Sequence, residues 1–158
     1  MGAAIAARGW DLVWGGGVIS MMGAVSRGAR ENGAKTFGVI PEKLLSVEFI
    51  DEQATQNYVV SDMRTRKAKL EELADGFVIL PGGIGTLEEF FEIWVGRYLK
   101  FHNKPIAVCD PFGTFDPLQT ALQHLVDVKL MKSGQQELVI WGTGVTQALD
   151  GLSLDGAE

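Results

Sequence analysis

The sequence is short of several things, and each shortage excludes something. It has one cysteine, Cys109, so no disulfide can form within the chain. That usage fits a reducing compartment, and a cytoplasmic protein is the expectation. Cys109 closes the apolar run Ile106 to Cys109, where a small buried residue is the better reading than a nucleophile. No apolar run approaches the ~18–20 residues needed to cross a membrane. Positive charge is scarce too: 14 Lys and Arg stand against 20 Asp and Glu, a formal net charge of −6. This argues against nucleic acid or an anionic membrane as the main partner. The two histidines, His102 and His124, show no ligand spacing, so no metal is expected. The opening MGAAIAARGW carries its Arg after the apolar residues, which makes a poor signal peptide. Met1-Gly2 has no hydroxyl residue at position 6, against myristoylation. There is no Walker A sequence, no repeat and no low-complexity segment.

What is present is one domain's worth of chain, residues 1–158, with 46% hydrophobic content and room for a sizeable core. The most informative stretch is FVILPGGIGTLEE, residues 77–89. Phe77 to Leu80 reads as a strand buried on both faces. Pro81-Gly82-Gly83 stops it, and Gly85-Thr86 opens a helix. Leu87, Phe90, Phe91, Trp94, Val95, Tyr98 and Leu99 then recur at helical spacing. Strand, glycine loop and helix start make an anion site, since backbone N–H groups and the helix dipole both favour phosphate. A purely structural reading stands beside it: Thr86 and Glu89 fit a capping box, T-x-x-E.

Taken in order, residues 3–7 read as the end of a helix and residues 11–14 as a strand. Gly15-Gly16-Gly17 follows, then a helix from about Ile19 to Arg30 with Met22, Val25 and Ala29 inward. The glycines form either a tight turn or a second ligand-facing loop; they lack the third glycine of a dinucleotide fingerprint. Residues 36–40 are the next strand. Residues 42–57 read as a polar loop with a short helix, holding Glu48. Residues 59–74 read as a helix whose inward stripe, through Met63, Leu70, Leu73 and Ala74, is flanked by Arg66 and Lys67. Inward cations either snorkel or meet an anion. In the central helix Glu89, Ile93, Gly96 and Lys100 share a second face, and Gly96 allows close approach there, so a homodimer contact is expected on it. A strand at 106–109, a helix from an Asp116 cap with Pro117 behind it, a strand at 137–141, a Thr143-capped helix and a frayed tail complete the chain. Strands alternating with helices imply an α/β fold with a parallel sheet.

Three stretches together resemble the LONELY GUY (LOG) family of nucleotide phosphoribohydrolases: LVWGGGVISMMG (12–23), SDMRTRKAKL (61–70) and LPGGIGTLEE (80–89), the last an ungapped PGGxGTxxE. GVIPEKLLSVE (38–48) and KPIAVCD (104–110) resemble the intervening segments. Chains of this kind have carried the label "possible lysine decarboxylase". That chemistry needs a pyridoxal phosphate lysine and its partners, and none can be pointed to here. The resemblance implies a modified Rossmann-like three-layer α/β/α fold, mainly parallel. It implies hydrolysis of nucleoside 5′-monophosphates, AMP or cytokinin riboside monophosphates, to free base and ribose 5-phosphate, with no cofactor. It implies Arg66 and Glu89 as the catalytic pair. Glu48, Lys67, Gly82, Gly83, Ile84, Gly85, Thr86, Leu87 and Glu88 are implied as substrate-binding, with Gly16 and Gly17 from the first glycine motif. It also implies at least a dimer. The alternative is a nucleotide- or molybdenum-cofactor-binding module without turnover. Three departures stand out: Arg64-Thr65 replaces a common His-Glu, Val95 replaces a common Thr, and the chain starts inside the family's first helix. Roughly 25–30 residues, one βα unit, are expected to be missing. The absent strand would leave neighbouring edges unpaired.

Overall fold

The computed structural model describes residues 1–46 and 49–154. It falls into two compact units, Met1–Ala74 and Asp75–Glu158. Each is built on a three-stranded sheet in which every pairing is parallel, within the Rossmann-like α/β/α class.

The first unit opens with α1 (Gly2–Ala6) and β1 (Leu12–Trp14), then α2 (Ser20–Glu31) and β2 (Thr36–Pro41). A 3-10 turn at Glu42–Leu44 leads to β3 (Gln56–Val60), and α3 (Met63–Leu73) closes the unit. Strand order is β1-β2-β3, so β1 is an edge. Thr36, Val39 and Ile40 of β2 have no exposed surface, as a central strand requires. Two expectations are corrected here. The segment read as a polar loop running into a helix contains β3: Gln56–Val60 pairs with Phe37–Pro41. The helix therefore starts at Met63, where the Asp62 carboxylate accepts from the Thr65 N–H at 2.9 Å and caps it. The inner face of α2 also differs. Gly23, Ser26 and Ala29 are buried, whereas Met22 is exposed, so small residues bring this helix close to its neighbours.

The second unit runs β4 (Phe77–Ile79), α4 (Ile84–Tyr98), β5 (Ile106–Cys109), α5 (Asp116–Asp127), α6 (Ser133–Gln136), β6 (Val139–Gly142) and α7 (Val145–Leu152). Its sheet order is β4-β5-β6. All four residues of β5 are buried. Around them pack Ile79, Phe90, Trp94, Phe115, Leu122 and Val139. Phe90 and Trp94 stack with ring centroids 5.2 Å apart. Cys109 is buried within β5, and burial pushes its thiol pKa up.

Several sequence expectations shift in this unit. β4 is an edge strand in which only Ile79 is buried, not a strand covered on both faces. The N-cap of α5 is Phe115, with Asp116 inside the helix, and α7 is capped by Gly144 rather than Thr143. Less than half of the α4 stripe is inside: Phe90 and Trp94 are buried, whereas Phe91, Val95, Tyr98 and Leu99 are exposed. Two of the four residues on the face expected to meet a second copy, Ile93 and Gly96, are engaged within the chain. Ile93 packs on the core, and its carbonyl meets Nε2 of the buried His102 at 2.9 Å. A Cβ on Gly96 would lie 3.3 Å from that imidazole. The close approach read from Gly96 is real, but it belongs to His102. The tail is packed through Leu152; residues 155–158 lie outside the described residues.

Candidate active site

In the first unit the site grows from the turn after β1. Gly15-Gly16-Gly17 must reverse the chain beside β2, and Gly16 takes a positive φ of 81°. All three glycine carbonyls are held by the protein. Gly15 O accepts from Arg66 Nη2 at 3.1 Å. Gly16 O accepts from the Asp51 N–H at 2.9 Å. Gly17 O accepts from the Trp14 indole at 3.1 Å. Arg66 lies so close that a Cβ on Gly15 would collide with its guanidinium. The glycine is required by that approach.

Arg66 is the one buried residue of α3, 7% exposed. The sequence placed it inward on a stripe with Met63, but Met63 is 43% exposed and the cation is the deeper of the two. Besides Gly15 O, its guanidinium reaches the Met63 sulfur at 3.8 Å. Its Nε is buried without a hydrogen-bond partner among the described residues. A buried cation with an orphaned N–H is costly unless an anion completes it. Lys67 is half-buried beside it. Glu48 lies outside the described residues.

A group that sequence reasoning missed supports this loop. Asp51 is 5% exposed. Its Oδ2 accepts from Arg30 Nη1 at 2.8 Å and from Ser26 Oγ at 3.0 Å, and its Oδ1 from the Gln53 N–H at 3.1 Å. Burial alone would raise its pKa. Hydrogen bonds from Arg30, Ser26 and Gln53, with the charge of Arg30, outweigh that and hold it below the usual value. Ser26 and Arg30 lie 25 and 21 residues away in sequence, so no local pattern announces them.

In the second unit the PGGxGT loop leads straight into α4. The helix begins at Ile84 with Gly83 as N-cap, and no side chain caps it. This overturns the capping-box reading: Thr86 sits at the third helical position, not at the cap. Its side chain instead lies over Gly82, where a Cβ would clash with Oγ1. Gly83 and Gly85 are different. Neither has a positive φ, and a Cβ on either would meet nothing within 4 Å. The fold therefore has no need of glycine at these two positions. Gly82, Gly83, Ile84, Gly85 and Glu88 are exposed, while Thr86, Leu87 and Glu89 are half-buried. The uncapped first turn offers free backbone N–H groups and the positive end of a 15-residue helix. Glu89 follows Gly85 by four residues, so both share one face of α4, roughly 6 Å apart along the axis. One rigid helix thus presents anion-binding donors and, one turn on, a carboxylate. Among the described residues no group of three His, Cys, Asp or Glu side chains is placed to hold a metal ion.

A family model described as "Possible lysine decarboxylase" matches residues 22–152. The chain is 46% identical over 149 residues to a "Cytokinin riboside 5'-monophosphate phosphoribohydrolase" of Mycobacterium marinum, covering 94% of this chain and 80% of that one. It is 45% identical, at the same coverage, to the protein of that name in Mycobacterium tuberculosis. Among solved structures it resembles a molybdenum cofactor binding protein from the phototrophic bacterium Rippkaea orientalis. That likeness has a TM-score of 0.66 at 20% identity, and covers 94% of this chain and 79% of that chain. At such identity it shows the fold alone.

Proposed function

We propose a function from one premise: the chain belongs to the family of that model, the LONELY GUY (LOG) family of phosphoribohydrolases. We read it as a hydrolase of nucleoside 5′-monophosphates, AMP or cytokinin riboside 5′-monophosphates, and not as a lysine decarboxylase. The observation that carries this reading is the start of α4. Two glycines that the fold does not need stand beside an uncapped helix N-terminus, which leaves room for a phosphate to approach the backbone.

In this reading the loop at 82–86 holds the 5′-phosphate and so fixes the ribose relative to Glu89. The C1′–N bond breaks and its electron pair leaves with the base. Water oxygen bonds to C1′, and one water proton ends on the base nitrogen. Positive charge develops on the ribose during this exchange, and the Glu89 carboxylate supports it. Arg66, buried with an open N–H, stabilises the negative charge that substrate and leaving base bring. Lys67 adds a second cation. Gly16 and Gly17 line the loop that holds Arg66 in place. The protein acts as a homodimer, with the exposed α4 residues Phe91, Val95 and Leu99 as its contact. A monomer by light scattering at micromolar concentration would remove that last element.

The test is adenine release from AMP, followed by chromatography, with Arg66→Ala as control. Release by the natural sequence that Arg66→Ala abolishes is the expected result. Binding of AMP without release would favour a carrier module instead.

A further inference from the structure

The glycine loop is not held by its own strand and helix alone. Residues 49–51 lie alongside it as a short antiparallel strap. Gly17 and Ile50 form a bridge, the Val18 N–H donates to Phe49 O at 3.0 Å, and the Asp51 N–H donates to Gly16 O at 2.9 Å. The strap is anchored at one end by Asp51, and every polar atom of that residue is engaged. Its backbone oxygen accepts from Asn57 Nδ2 at 2.8 Å and from the Ala54 N–H at 3.1 Å. Its carboxylate binds Ser26 and Arg30 on α2 and the Gln53 N–H. Ser26 has no exposed surface, so this is a fixed post rather than a surface ion pair.

A trans peptide is planar, so fixing one carbonyl fixes the N–H on the other side of the bond. Pinning Gly16 O to Asp51 therefore fixes the Gly16–Gly17 peptide, and the Gly15–Gly16 peptide, whose carbonyl is the acceptor for Arg66 Nη2, joins it through the Gly16 Cα, where φ is 81°. We propose that Asp51 is a positioning residue for Arg66: it acts through the 49–51 strap and the carbonyls of Gly16 and Gly15 to hold the guanidinium in one orientation. The role rests on the reading of Arg66 as catalytic. The geometry itself does not. Asp51 touches no reacting atom. It sets where the open Nε–H of Arg66 points, and a misplacement near 1 Å at a catalytic group costs rate far more than it costs binding.

Asp51→Asn removes the charge and leaves one acceptor oxygen for the three donors Ser26, Arg30 and the Gln53 N–H, so the post loses its hold. Ser26→Ala removes one donor, leaves the ion pair intact, and serves as the milder variant. Two readouts are taken below the melting temperature of each variant. The first is the split of AMP turnover into kcat and KM. The second is the Arg66 Nε–H resonance in a 15N spectrum, assigned by its loss in Arg66→Ala. We expect kcat to fall about tenfold in Asp51→Asn and less in Ser26→Ala, with KM moved little. We expect the Nε–H signal to shift and exchange faster in the same order. A variant that melts lower but keeps both kcat and the Nε–H signal overturns the proposal. If the natural sequence releases no adenine while the Nε–H signal still responds to Asp51→Asn, the activity reading fails and the positioning role stands.

Discussion

Arg66 is a side chain whose burial asks for a partner that the described residues do not supply in full. One carbonyl at 3.1 Å and one thioether at 3.8 Å leave Nε unsatisfied. A site completed by an anionic ligand explains that arrangement where snorkelling does not, because the head as well as the stem is buried. Gly15→Ala should therefore act as an Arg66 variant without touching Arg66. Its Cβ would displace the guanidinium, and adenine release should fall by at least about tenfold, the worth of one 1.4 kcal/mol interaction. Unchanged turnover in Gly15→Ala would show that the orientation seen is not the productive one. Asp51 gives a second prediction at this scale. Its folded pKa lies below the unfolded value of about 3.9, so its contribution to stability is complete above that value and is lost as pH falls through the folded pKa. The melting-temperature gap between the natural protein and Asp51→Asn should be full at neutral pH and close under strongly acid conditions. A gap constant with pH would mean that the charge on Asp51 contributes nothing.

At the scale of elements, α4 shows what a sequence pattern can and cannot specify. Its helical period was plain from Leu87 to Leu99, and the helix is there. The pattern could not say which apolar residues turn inward, because helical spacing is the same for Phe90 and Trp94, which are buried, and for Val95 and Leu99, which are not. Nor could it place the cap. T-x-x-E fits Thr86 and Glu89 on spacing, yet the helix starts two residues before Thr86 and the box does not form. β3 was missed for a related reason. QNYVV begins polar and is half-exposed along an edge, so it lacks the apolar run that marks β2 and β5. With β3 unread, the strap before it and Asp51 within it were unread too. The PGGxGT loop, the glycine turn after β1 and the inward Arg66 were all legible, because each depends on residue types that few other local structures need. Gly85→Ala tests the loop directly. Alanine has the better helix propensity and meets open space here, so the melting temperature should hold or rise. If phosphate approaches that face, KM for AMP should rise about tenfold, as for loss of 1.4 kcal/mol of binding. Unchanged KM would move the phosphate away from α4.

Across the whole molecule, charge and core make separate predictions. The net charge of −6 and a sequence pI near 4.9 keep copies apart at neutral pH. Turbidity should therefore peak near pH 4.9 and fall on either side of it. The core of the second unit is aromatic: Phe90 is 1% exposed and sits between Phe91, Trp94 and Trp141. Phe90→Ala should cost about 3–5 kcal/mol, measured by urea unfolding. A cost under 1 kcal/mol would mean that the cluster closes over the vacancy.

Cys109, finally, is the chain's only thiol, and it is the last residue of the wholly buried β5, with its ionisation suppressed. A maleimide or disulfide reagent can reach it only when that strand parts from its sheet. Its labelling rate is thus a stopwatch on the opening of the second unit, read from one atom, with no introduced probe and no second cysteine to blur the trace.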